Sequence, residues 1–476
     1  MTEENRENPE EKQQKVISLL QKYKLVEGFV RLQDSPEPEL IESIIQKQNL
    51  ANLRQALDRL HPADIAHLLE SLPLEDRLII WGMVKAEQDG EVLLEVSDAV
   101  RQTLIEDMDS RELVAAAEQL DADEIADLAP DLPSEVMEDV FRALPTEERE
   151  QLRAAMSYSE DAVGALMDFD VITVRSDVRI EVVLRYLRRL GELPDHTDQL
   201  FVVGRDEQLQ GALLLNQLLV SDPESSVAEV MAHDTVKFLP DDKAEEATHA
   251  FERYDLVTAP VVSQEGKLLG RVTVNAAIDF IRERADLEAR NQAGLSEEED
   301  LFAPIWKSVR NRWAWLAINL VTAFIASRVI GLFEDSIEKL VALAALMPIV
   351  AGVGGNSGNQ TITMIVRAIA LGQVNQDSTL KLISKEIGVG IVNGIVWGSV
   401  VGIFTYTLYH DVQLGLVISL AMLLNLLLAA TVGVLIPLIR IKLGRDPALG
   451  SSVMITAVTD SGGFFIFLGL ATLFLL

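Results

Sequence analysis

The last third of the chain carries five stretches long and apolar enough to cross a lipid bilayer, which excludes a single water-soluble globule. A spanning helix needs about 20 largely apolar residues, because each residue rises about 1.5 Å across a hydrocarbon core of about 30 Å. Residues 340–366, 387–409 and 412–439 are free of charge over such lengths, and 313–333 and 447–476 are each interrupted once, by Arg328 and Asp460. A five-helix α transmembrane domain over 305–476 is expected. Arg328, near the end of its run, is placed to snorkel to the interface.

Basic residues in short loops mark the cytosolic side. Lys307, Arg310 and Arg312 precede the first run, Lys381 and Lys385 follow the second, and Arg440, Lys442 and Arg445 follow the fourth. The opposite loops hold Glu334, Asp335, Glu338 and Lys339, then His410 and Asp411. The N-terminus is therefore expected in the cytosol and the C-terminus outside. Trp306, Trp313 and Trp315 flank entry to the first run, at the level where indoles favour the headgroups.

Ahead of the membrane part the charge balance is extreme. Residues 1–300 carry 66 acids against 30 bases, within a chain of net charge −33. Such a field repels nucleic acid and gathers cations, and it also serves plain solubility. The chain has no cysteine, so disulfides and thiolate metal sites are excluded. The first residues have neither a basic start nor an apolar stretch, and no cleaved signal peptide is expected. His61, His67, His196, His233 and His249 are scattered singly, with no paired nucleophile and base and no glycine-rich phosphate loop, so an enzyme is not expected.

An ionisable side chain within a span is costly unless it faces a polar interior. Asp460 lies 14 residues beyond Asp446, which is about 21 Å along a helix and near mid-bilayer. Beside it stand Thr456, Thr459 and Ser461. A carboxylate among hydroxyl and carbonyl oxygens suits a hard divalent cation, whereas a hydrogen-bonded carboxyl that helps helices pack is the alternative. One carboxylate neutralises a divalent ion poorly; a two-fold homodimer with a pore between subunits would bring two Asp460 side chains to one axis.

The second run holds Met347 and Pro348, then Gly354, Gly355, Asn356, Gly358, Asn359 and Gln360. Proline and glycines weaken a helix and free carbonyls, which is tolerated at membrane depth where they line a cavity or are buried against protein. A pore lining in which the three amides order an ion's water shell is expected, with close helix packing as the alternative. In the third run Gly388, Gly390, Gly394 and Gly398 recur at nearly helical spacing and read as a packing face.

In front of the spans, 1–39 is a polar segment and 40–160 reads as short amphipathic helices punctuated by proline. LHPADIAHLLESLP at 60–73 echoes LDADEIADLAPDLP at 120–133, an all-α helical repeat with an offset of 60. Asp123 and Asp127, four apart, share a helix face where like charges repel, and a bound divalent ion would relieve them. Over 161–281 a βαββα pattern occurs twice, starting near Met167 and Met231, with turns at Asp206 and Gly266. Two such modules face each other across a cleft that would take a nucleotide or an ion. Residues 282–304 connect them to the membrane.

From about residue 40 onward the chain resembles the MgtE family of bacterial magnesium channels. The marks are Met347-Pro348 with GVGGNSGNQ at 352–360, KEIGVGIVNG at 385–394, and Asp446-Pro447-Ala448-Leu449 followed by Thr459-Asp460. The resemblance implies a multidomain fold: an acidic helical superhelix, a tandem pair of CBS modules of α+β type, a plug-like connecting helix and five spans. It implies a homodimer in the plasma membrane passing hydrated Mg²⁺, with Asp460 as the shared selectivity residue and the Thr456 carbonyl lining the same site. It places Asp446 at the cytosolic mouth and gives Asp123 and Asp127 to regulatory magnesium, and an adenine nucleotide at the CBS pair is compatible with it. The chain departs from the family at Gln217, Asn275 and Ala276, where acids are usual, and in a connecting helix that begins Arg282-Glu283-Arg284 before Asp286, Glu288, Glu297, Glu298, Glu299 and Asp300. The competing expectations are a proton-coupled carrier or exporter of divalent cations such as cobalt or manganese, and a nucleotide-sensing membrane scaffold.

Overall fold

The computed structural model describes residues 9–32, 39–295, 300–370, 376–445, 447 and 450–476. They form two compact units, one running through Arg284 and including Asp300–Ala303, the other holding Ala285–Glu299 and everything from Pro304 onward.

The first unit opens with α1 (Pro9–Leu32) and α2 (Glu39–Leu57), so residues 9–32 of the segment that composition marks only as polar are helical. Val16 and Leu20, one turn apart on α1, are buried in the core of the helical domain. The short helices follow: α3 (Pro62–Glu70), α4 (Leu74–Trp81), α5 (Asp89–Glu95), α6 (Asp98–Asp107), α7 (Ser110–Ala117), α8 (Ala122–Leu128), α9 (Ser134–Ala143) and α10 (Thr146–Ala155). The 60-residue echo is structural: α3 and α8 start 60 apart, and α3 packs on α5 as α8 packs on α10. Prolines at 73, 133 and 145 stand just ahead of α4, α9 and α10, where a missing N–H costs nothing.

The tandem modules are β1 (Thr173–Arg175), α11 (Ile180–Leu190), β2 (Gln199–Val203), β3 (Leu209–Leu214) and α12 (Leu215–Val220), then α13 (Val227–Val230), α14 (Ala244–Tyr254), β4 (Thr258–Val262), β5 (Leu268–Thr273) and α15 (Val274–Ala293). Pairs β2–β3 and β4–β5 are antiparallel hairpins with the same irregularity, between Val202 and Val203 and between Val261 and Val262. The turn residue with positive φ is Gly266 in one hairpin and Glu207, rather than the expected Asp206, in the other. Each module's leading segment pairs with the other module's hairpin, Asp168 with Arg271 and Ala232 with Ala212. Gly211 and Gly270 permit this, since a Cβ on either would strike the crossing backbone at Ala232 or Asp168. The last helix of the second module and the connecting helix are one element, α15.

The membrane unit contains α16 (Ile305–Gly331), the short α17 (Glu334–Lys339), α18 (Ala342–Ala370), α19 (Gln376–Tyr409), α20 (Val412–Lys442) and α21 (Ser451–Phe474). Among the described residues four helices, α16, α19, α20 and α21, are long and apolar enough to span a bilayer by length and composition. The helix expected as the fifth, α18, has 29 residues and the necessary length, but its run of Gly, Asn, Ser and Gln lowers its hydropathy. Helix α20 is central, packing on α18, α19 and α21. Leu343, Leu346 and Val350 of α18, Ile418, Ala421 and Met422 of α20, and Phe467 and Leu468 of α21 build this core.

Candidate functional site

Asp460 sits midway along α21, half-buried. Just before it, the Thr459 hydroxyl donates to the carbonyls of Ile455 at 2.9 Å and Thr456 at 3.2 Å. The Thr456 hydroxyl in turn donates to the Ser452 carbonyl at 2.9 Å. The protons of these two hydroxyls are thus used within their own helix, whereas the Ser461 hydroxyl finds no hydrogen-bond partner among the described residues.

Helix α18 crosses beside it. A Cβ on Gly355 would lie 3.7 Å from the Thr459 hydroxyl, so Asn356 and Asp460 are the next residues along the two helices from one contact. The polar string does not break the helix: α18 is continuous through Pro348 and the glycines. Its residues divide by face. Gly354, Gly355 and Gly358 are buried, whereas Asn356 and Gln360 are exposed and Asn359 is half-buried. Gly354 is pressed on the Asn425 amide and Gly358 on Ile455, so these two glycines serve close packing within the chain. The three amides form one stripe, at spacings of three and four, on a side where Asn356 and Gln360 stay exposed among the described residues.

Asn425 holds the crossing together. It is fully buried, its Nδ2 donates to the Val350 carbonyl at 2.8 Å, and it is clasped between Gly354 on α18 and Gly463 on α21. Its Oδ1 has no hydrogen-bond partner among the described residues. Asn425 lies in a charge-free run that hydropathy marks only as apolar, and its isolation as the one amide between Gln413 and Arg440 is the signal the sequence carries. Glu386 lies just ahead of the third apolar run, where the sequence does not set it apart. It is 3% exposed, with the Thr361 hydroxyl donating to Oε2 at 3.4 Å and the Lys385 ammonium 3.9 Å from Oε1. Its place four residues before Gly390, on the inward glycine face, could have announced that burial.

Asp123 and Asp127 do share one face of α8, a helix opened by an Asp121–Glu124 capping box. Burial pushes the Asp123 carboxyl up to about 8, with Asp168, Glu124 and Asp121 adding to the effect. Asp127 is raised in the same direction by the desolvation of its crowded surroundings, with Arg101 opposing and Glu283, Glu124 and Asp279 reinforcing, but its side chain is exposed and water moderates the effect. The nearby cation at Asp168 is Arg271, its guanidinium 2.7 Å from the carboxylate. Among the described residues no three His, Cys, Asp or Glu side chains converge as a closed metal-ligand set. Asp446 and Glu297 to Glu299 lie outside the described residues.

A family model described as a divalent cation transporter matches residues 347–470, the MgtE intracellular N domain matches 60–161, and a CBS domain matches 227–283. The "Magnesium transporter MgtE" of Thermus thermophilus is 30% identical over 444 residues, which cover 91% of this chain and 98% of that protein. The chain belongs to the MgtE family. The MgtE of Bacillus subtilis is 26% identical over 447 residues, covering 93% and 99% of the two chains. Among solved structures, the cytosolic domain of the Mg²⁺ channel MgtE in complex with ATP is 29% identical and covers 50% of this chain and 97% of its own, at a TM-score of 0.46. The soluble part of a magnesium transporter is 18% identical at a TM-score of 0.47. As an MgtE-family chain this is a multidomain membrane transporter of the magnesium class, with the helical and CBS domains ahead of its membrane helices.

Proposed function

We propose that the chain is a homodimeric magnesium channel of the plasma membrane, with α18 as its fifth span, its N-terminus and soluble domains in the cytosol and its C-terminus outside. Hydrated Mg²⁺ passes between two copies. Each copy contributes an Asp460 carboxylate at mid-membrane, the Thr456 carbonyl one turn earlier, and the amides of Asn356, Asn359 and Gln360. Gly354, Gly355 and Gly358 set how closely α18 approaches its neighbours and so where those amides stand. Magnesium gives up its water reluctantly, so carboxylate and amide oxygens act through the hydration shell. Asp446 gathers the ion at the cytosolic mouth.

The observation that carries this proposal is Asp460 half-buried in an apolar helix beside an uncovered amide stripe. Facing lipid, such a surface would cost several kcal/mol. On the cytosolic side, Asp123 and Asp127 fit regulatory magnesium, because desolvation and neighbouring acids both disfavour their charged forms and a divalent ion would offset both effects. A divalent ion at that face would stabilise one arrangement of the soluble domains and shift the channel's open population. An adenine nucleotide at the CBS pair belongs to the same regulation.

The decisive experiment is Mg²⁺ entry into proteoliposomes, comparing wild type with Asp460→Ala at low and high magnesium on the cytosolic face. Loss of flux in the variant and suppression of wild-type flux by cytosolic magnesium are expected. Selective flux that survives the substitution would remove Asp460 from the ion path, and no flux from folded wild type would favour the scaffold. Buried Glu386 supplies the second acid that a proton-coupled carrier needs. If flux follows an imposed pH gradient and Glu386→Gln abolishes that dependence, the carrier replaces the channel.

A further inference from the structure

Arg77, on α4, is the largest fully buried side chain among the described residues. Its Nε donates to the Leu69 carbonyl at 2.9 Å and its Nη2 to the Leu72 carbonyl at 3.1 Å, satisfying acceptors at the end of α3 and in the turn beyond it. Nη1 reaches the Thr103 hydroxyl on α6 at 3.4 Å. The remaining donors take a carboxylate two-pronged, Nη1 to Asp300 Oδ2 at 2.7 Å and Nη2 to Asp300 Oδ1 at 3.1 Å. Asp300 is itself only 6% exposed at the side chain and is 223 residues away.

A second arginine in the same domain shows what is unusual here. Arg101 on α6 repeats the pattern, its Nε donating to Leu93 at 2.7 Å and Nη2 to Val96 at 3.2 Å, carbonyls eight and five residues back, as Leu69 and Leu72 are for Arg77. Its carboxylate is Asp131, 3.1 Å from Nη1 and supplied from within the helical domain. At Arg77 the corresponding acid comes from the segment Asp300–Ala303. That segment is folded into a tight turn, in which Asp300 Oδ1 accepts the Phe302 N–H at 2.9 Å and the Asp300 carbonyl accepts the Ala303 N–H at 3.0 Å. Pro304 follows it directly as the N-cap of α16, the first membrane helix.

We infer that the Arg77 notch is a docking site for a carboxylate-bearing turn, occupied by this chain's own Asp300–Ala303, and that the docked turn couples the helical domain to the first membrane helix without passing through the CBS modules. A buried guanidinium left without its carboxylate is strongly disfavoured, so the dock is held closed unless another anion replaces Asp300. Because α16 begins two residues after the turn, a shift of the helical domain is delivered to the membrane by chain continuity. The coupling half rests on the channel proposed above; the dock does not.

The test uses the full-length protein in lipid nanodiscs and proteoliposomes with two variants. Asp300→Asn keeps the shape and removes the charge, while four glycines inserted after Ala303 keep the dock and slacken its link to α16. In Asp300→Asn, deuterium uptake at Phe302 and Ala303 should rise about tenfold or more as the turn detaches. In the insertion variant uptake should match the wild type. Both variants should move the cytosolic magnesium concentration that halves the flux by about fivefold. Wild-type uptake in Asp300→Asn would overturn the dock, and an unmoved midpoint in both variants would overturn the coupling. If the wild type passes no magnesium, the channel falls while the uptake comparison still decides the dock.

Discussion

Helices α18 and α19 are both rich in glycine, and both turn most of their glycines inward, but they present different surfaces to the outside. On α19 a Cβ at Gly390 would lie 3.2 Å from the Leu426 carbonyl, one at Gly394 2.9 Å from Leu423 Cα, and one at Gly398 2.7 Å from the Ser419 carbonyl. Its other side exposes Val392, Ile395, Val396 and Trp397, which suits lipid. On α18 the buried glycines meet Asn425 and Ile455, while the outer side shows Asn356 and Gln360. The same small-residue device lets backbones approach in both helices. What differs is the surface left over: only α19 can leave its outer face in hydrocarbon, so α18 needs water or a second polar surface there.

Gly394→Leu should break the shared half of this comparison, since it forces a branched side chain against the α20 backbone. It should cost about 3 kcal/mol or more, seen as loss of monodisperse protein on size exclusion; Val396→Leu on the outer face of the same helix should keep wild-type stability. Recovery of well-folded Gly394→Leu would show that the α19–α20 contact is looser than described. The contrasting half is sharpened by Asn356→Leu with Gln360→Leu. These make the outside of α18 resemble that of α19, so folding should be preserved while Mg²⁺ flux falls by about tenfold, equivalent to about 1.4 kcal/mol in the barrier. Unchanged flux would assign the stripe to a contact outside the ion path.

The smallest effect lies in the N-terminal unit, where water moderates the cost of crowded acids. The Asp123 carboxyl is raised to about 8 in the folded state, so the fold holds this proton more tightly than the unfolded chain does. That contribution is present below about pH 4 and is lost as pH rises through about 8. Thermal stability in chelator should therefore decline from pH 5 to pH 8.5, with Asp123→Asn removing on the order of 1 kcal/mol of that decline. Added magnesium should restore the wild type chiefly at the alkaline end. An identical pH profile in the variant would show that Asp123 is not the group responsible.

The inward side of α19 was legible in advance, because glycines at helical spacing have few other uses, although Gly388 stands in open space. The division of α18 was not. Gly354, Gly355 and Gly358 were grouped with the amides as one lining, and spacing could not say which side of the helix the rest of the chain would cover. Asp460 was visible as a lone charge in an apolar run, whereas Glu386 and Asn425 were hidden by their positions at the edge of one run and inside another. In the soluble part the 60-residue repeat and the two βαββα modules were plain, but nothing local showed that each module's leading segment crosses to the other's hairpin.

The sequence by itself determined the membrane helices, their polar interruptions, the repeats and the family, because hydropathy, spacing and motif residues are properties of neighbours along the chain. Tertiary structure alone decided that Asn425 clasps α18 to α21, that Glu386 is buried, and that Asp300 closes the Arg77 notch. These depend on which polar groups lose their water when distant segments meet, and a buried amide, carboxylate or guanidinium takes whatever partner that meeting supplies.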